Sequence, residues 1–170
     1  MIDYIYLTLL FIHVGAVVGW AGGALVGTMV LLPLASKLSP GSRSDIGRIV
    51  IPRMIRFGLM MGIVALVDGA VLYSYITFVA TSEAVSTIGT PYIGAGALLG
   101  LLVLIIFTAF QESSMKKMAK LSAQLAQSPQ SSELSAQMGA LQKRSAMASR
   151  IGVAVLFLVI ILMVVGANIS

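Results

Sequence analysis

No cysteine occurs anywhere in this chain of 170 residues. Disulfides, thiolate metal sites and thiol nucleophiles are therefore excluded, and imidazole, carboxylate and thioether remain as the strong ligands. Charge is scarce as well: 10% of the residues are charged, where a soluble domain carries roughly 25%. Histidine and tryptophan occur once each, as His13 and Trp20. A single imidazole forbids bis-histidine coordination within one copy. A histidine–methionine set, a histidine shared across a dimer or a single axial histidine remains. Basic residues are missing before Lys37, so the opening MIDYIYL lacks the basic start of a cleaved signal and reads as a retained span.

Apolar residues are abundant instead, at 58% of the chain. Four long runs cover about 4–34, 54–80, 92–110 and 151–168, each close to the ~20 residues that a helix needs to cross a hydrocarbon core. The expected fold is all-α: one integral-membrane domain, 1–170, built as a four-helix bundle. The eleven basic residues fall in only two loops. Lys37, Arg43, Arg48, Arg53 and Arg56 lie between the first two spans; Lys116, Lys117, Lys120, Lys143, Arg144 and Arg150 lie between the last two. The positive-inside rule puts both loops in the cytoplasm and both termini outside, as a multi-pass protein of the cell membrane. This distribution explains the net charge of +5 by orientation and anionic lipid rather than by nucleic acid.

Punctuation marks the span ends. Pro33 is expected to stop the first span, Pro40-Gly41 to turn the loop, and Pro52 to sit near the start of the second span. Thr90-Pro91 reads as a cap and first-turn proline for the third. Tyr4, Tyr6, Tyr73, Tyr75 and Tyr92 are expected to form an outer aromatic belt. Between spans three and four, residues of about 112–150 divide at SPQSS (128–132) into two stretches with Met115, Met118 and Leu125, then Leu134, Met138 and Leu141, at helical spacing. Ser132 is the expected cap of the second, with Glu133 in its first turn. Together they predict an antiparallel cytoplasmic hairpin projecting ~24 Å. It serves either as a simple connector or as a docking arm for a partner.

Two ionisable residues lie deep in the spans, His13 and Asp68. Counting inward from Tyr4 and Val79 puts them ~14 and ~17 Å down on antiparallel helices, near the midplane and within reach of each other. An ionised carboxylate facing lipid costs about 3 kcal/mol or more, so Asp68 is expected to face the bundle. Three roles stay open for the pair: a structural contact, a haem or metal ligand oriented by its carboxylate, and a proton relay. Trp20 follows His13 on nearly the same helical face, either as the wall of a porphyrin cleft or as a packed anchor. Arg48, Arg53 and Arg56 gather at the cytoplasmic edge, where lipid headgroups or porphyrin carboxylates would meet them. Gly15, Gly19, Gly23 and Gly27 stand four residues apart, a small-residue surface for close helix packing within the chain or between chains. Gly58/Gly62 and Gly96/Gly100 repeat that spacing.

The run FIHVGAVVGWAGGALVGTMVLLP resembles the first span of the copper-resistance D-type membrane proteins and of the HemJ-type protoporphyrinogen oxidases. GRIVIPRMIRFGLMMGIVALVDGAVLY resembles their second. The resemblance covers about 70 residues and implies haem b binding at His13. The supporting lysine of the HemJ-type third span has no counterpart in TPYIGAGALLGLLVLIIFTAF, so the resemblance does not carry the oxidase activity over. The methionine- and histidine-rich sets expected for copper uptake are missing too.

Three functional readings follow. The first is a non-catalytic accessory subunit of a larger membrane complex, of the metal-dependent redox kind, partnered by other membrane subunits or by copies of itself. The second is a haem-b redox protein with His13 as axial ligand, supported by Asp68 and Trp20. The third is a small transporter or proton path through Asp68.

Overall fold

The computed structural model describes residues 3–39, 42, 45–79, 88–128 and 130–169. It is all-helical, and four of its helices are long and apolar enough to span a membrane. Helix α1 is Tyr4–Val26, followed by a π-helical turn at Gly27–Leu31 and the short α2, Leu32–Lys37. A second π turn, Ile46–Val50, leads into α3, Ile51–Phe78. Helices α4, Thr90–Gln127, and α5, Ser132–Asn168, complete the chain. Pro40-Gly41 and Pro129 lie outside the described residues.

Both π turns stand immediately before a proline, and this explains how helix passes through Pro33 where the sequence predicts a stop. Proline brings no N–H and crowds the preceding turn. Just before Pro33, Leu32 N–H reaches back five residues to Gly27 O; just before Pro52, Ile51 N–H does the same to Ile46 O. The wider turn absorbs the missing bond, so the helix continues instead of ending. Two predicted caps move by one residue. Gly89 rather than Thr90 precedes α4, and Ser131 rather than Ser132 caps α5, its hydroxyl accepting from Leu134 N–H at 3.3 Å.

The helices pack as two antiparallel hairpins, α1 with α3 and α4 with α5, which meet along a thinner seam. In the first, Gly19 faces Met61, Gly23 faces Phe57 and Gly27 faces Met54. In the second, Gly96 faces Met163 and Gly152 faces Phe107. Gly100, touching both Leu66 and Val159, lies on the seam. Its centre is a buried cluster of Ala16, Trp20, Ala65 and Leu156, with Val103 and Leu104 against it. Many other apolar side chains point outward, among them Phe11, Val18 and Ile106, as a lipid-facing surface requires.

Beyond Phe110 the helices α4 and α5 run on together. Gln111 Nε2 donates to Ser149 Oγ at 3.2 Å, and Ser114 is buried beside this layer. Met115, Met118, Leu121 and Leu125 on α4, and Leu134, Met138 and Leu141 on α5, are half-buried, which zips the extension into a hairpin.

At the opposite end, Asp3 ties the first hairpin shut. Its carboxylate accepts from the N–H groups of Ile5 and Tyr6 and from the Tyr75 hydroxyl, at 3.0, 3.1 and 2.9 Å. The Tyr6 amide and the Tyr75 hydroxyl hold this carboxyl below the usual carboxylate range. A lowered native value contributes stability that is complete above the unfolded value of about 3.9 and fades as pH falls through the native one. Asp3→Ala should therefore flatten the acid limb of detergent-solubilised unfolding below about pH 4 and leave its neutral-pH slope unchanged.

Candidate functional site around His13 and Asp68

Helix α1 presents His13 to α3 at the level of Asp68 and Gly69. The contact exists because residue 69 has no side chain. A Cβ there would lie 2.7 Å from His13 Cε1 and 3.0 Å from Nδ1, so the imidazole rests on the α3 backbone. Nε2 lies 3.7 Å from the same point. Trp20 repeats the arrangement two turns along. A Cβ on Gly62 would stand 3.0 Å from Trp20 Cε2 and 2.7 Å from Leu104 Cδ1. The two pairs, His13 on Gly69 and Trp20 on Gly62, are seven residues apart on both helices, with Ala16 and Ala65 buried between. One antiparallel register serves all three layers.

His13 Nδ1 and Asp68 Oδ2 are 3.9 Å apart, with side chains 21% and 11% exposed. That separation exceeds hydrogen-bond range. Both atoms are buried, and neither has a hydrogen-bond partner among the described residues. An unmet buried polar atom costs about 1–3 kcal/mol, more when charged. The pair therefore rewards whatever closes it: a small shift that makes the bond, or a ligand. With Nδ1 facing the carboxylate, the tautomer that suits the site carries its hydrogen on Nδ1 and leaves a lone pair on Nε2.

The donor set tests which ligands fit. A single imidazole lone pair suits single axial ligation of a haem iron. A tetrahedral metal site takes four ligands, and among the described residues no group of three or more His, Asp or Glu comes together. Trp20, at 8% exposed, sits within the four-helix seam, so a porphyrin could stack on it only if that seam opened. The arginines stand elsewhere. Arg56 is twelve residues from Asp68 along α3, ~18 Å. Arg48 pairs with Asp45 at 3.4 Å, Arg53 donates to Ile49 O at 3.3 Å, and all three are exposed.

The glycine row divides between faces. Gly19, Gly23 and Gly27 meet α3, whereas Gly15 has nothing within 4 Å. Sequence reasoning missed Gly69, although it directly follows the buried acid and, with Gly62, copies the His13–Trp20 interval on the neighbouring helix. No protein family, curated protein or solved structure matches the chain.

Proposed function

We propose that the chain is a non-catalytic accessory subunit of a larger membrane-bound complex. Its four spans anchor it with both termini outside, and the α4/α5 extension is a cytoplasmic docking arm. The observation that carries this reading is the arm itself. Helices in a bundle are normally joined by about 2–8 residues. Here α4 and α5 each continue for several turns past the Gln111–Ser149 layer, with their apolar residues turned toward each other and their outer faces exposed. Ordering that much chain costs on the order of 1–2 kcal/mol per residue. A mere connector would not need it.

The test is purification of the tagged full-length chain from its own membranes in a mild detergent. Stoichiometric membrane partners are expected. They should be lost when residues 113–149 are replaced by a short Gly/Ser turn while the four spans still insert. A stable oligomer of this chain alone would overturn the reading.

The site itself favours a second reading, haem b on His13. The supporting observation is Nδ1 facing the Asp68 carboxylate, the arrangement that leaves Nε2 as the ligating nitrogen. A Soret band in protein from haem-replete membranes, absent in His13→Ala and weakened in Asp68→Asn, is its expected signature. No chromophore at full purity would dispose of it.

A further inference from the structure

A recess opens between α4 and α5 where the arm leaves the apolar part of the bundle. Phe110, Ser113, Ser114, Lys117, Leu141 and Arg144 line it, around about 120 Å³. Lys117 and Leu141 also line the groove above it, about 380 Å³, where Lys120, Gln124 and Gln137 join them. The two form one continuous basic groove along the arm. We infer that the lower recess is a binding site for the phosphate of an anionic phospholipid, with Lys117 and Arg144 as its cationic jaws.

Three observations converge on that ligand. First, the cations come from opposite helices and are uncommitted. Among the described residues, acidic and basic side chains meet at His13–Asp68, Arg48–Asp45 and Lys116–Glu112, so neither Lys117 nor Arg144 faces a carboxylate partner. A guanidinium fork beside an ammonium and two serine hydroxyls matches the oxygens of a phosphate. Second, the depth is right. Lys117 stands seven residues beyond Phe110, and Arg144 seven before Ile151, each ~10 Å above the end of an apolar run. Headgroup layers rise about 5–7 Å beyond the hydrocarbon core, long basic side chains reach back several ångströms toward them, and Phe110 offers the recess an apolar floor. Third, the charge balance selects among lipids. No acid lines either part of the groove. The ammonium of a zwitterionic headgroup would find only like charge there, so a net-negative headgroup is preferred. This site is independent of any protein partner of the arm.

The test uses the full-length chain, purified in detergent and titrated with phosphatidylglycerol or phosphatidylcholine under native mass spectrometry. Phosphatidylglycerol should be retained preferentially. At about fivefold per basic residue removed, Lys117→Gln/Arg144→Gln should weaken retention on the order of 25-fold. Lys117→Arg/Arg144→Lys, which keeps the charge, should restore most of it. Lys143→Gln, outside the groove, should change little. Equal retention of both lipids, or an unaffected double variant, would overturn the assignment. So would displacement by low-millimolar inorganic phosphate, which would give the recess to a soluble phosphate-bearing ligand instead.

Discussion

Trp20→Ala is expected to destabilise the bundle by about 3 kcal/mol, the lower end of the range for removing a buried aromatic. In a soluble core part of that cost is transfer from water, but lipid is as apolar as the bundle interior. What remains is lost packing. Trp20 supplies much of it, because the indole fills the seam where α1, α3, α4 and α5 meet, against Gly62, Leu104 and Leu156. Its removal should loosen one hairpin from the other before it unfolds either. The measurement is a detergent–SDS unfolding titration, with cross-linking between α1 and α5 as the probe of the seam. A thermodynamic cycle sharpens it. Gly62→Ala alone should cost about 1–3 kcal/mol by overpacking. In the Trp20→Ala background the cost should fall, since Trp20 is one of the two side chains that the new methyl meets. It should not vanish, because Leu104 is the nearer one, at 2.7 Å. Strict additivity would mean that the indole does not sit on Gly62.

The architecture was legible wherever it depends on composition along one helix. Apolar runs marked the spans, and the spacing of Met115, Met118, Leu134 and Met138 marked the hairpin. Counting residues from the span edges put His13 and Asp68 at one depth; in the fold His13 Nδ1 and Asp68 Oδ2 are 3.9 Å apart. What escaped depends on two helices at once or on the backbone alone. The spacing of Gly58 and Gly62 marked Gly62 for packing, but that it receives Trp20, and Gly69 receives His13, depends on the register in which α3 lies against α1, and nothing on α3 announces that register. The passage through Pro33 uses a π turn, a change in backbone bonding that asks for no particular side chain. The glycine row split for a simpler reason. A four-residue step turns the helix by ~400°, so each glycine stands ~40° ahead of the last. Three steps carry Gly27 ~120° away from Gly15, enough to leave Gly15 in the open while Gly27 touches Met54. The Trp20 alternatives turned on the same missing information: which helices would close around the indole.

The second large effect is expected at a glycine that no sequence pattern singled out. At Gly166 a Cβ would meet Ile93 Cγ1 at 2.8 Å, Gly89 O at 2.9 Å and Ile93 N at 3.0 Å. The last two are backbone, so no rotamer change relieves the clash. They also belong to the first turn of α4, where Gly89 O accepts from the N–H groups of Tyr92 and Ile93 at 3.1 and 3.2 Å. Gly166→Ala must therefore either break that turn or push α5 off α4. We expect a loss of about 2–3 kcal/mol, the upper part of the overpacking range. Gly94→Ala is the matched control, one helix away, with nothing within 4 Å of its Cβ position. There the better helix propensity of alanine acts unopposed, and the variant should be neutral or more stable by up to about 1 kcal/mol. Opposite signs in the same unfolding titration would show that the α4 start and the α5 end touch backbone to backbone. Equal effects would mean that α5 ends away from α4. The end of the second hairpin opposite the arm would then need another anchor, since Gly96 against Met163 is a contact between a backbone and a flexible side chain.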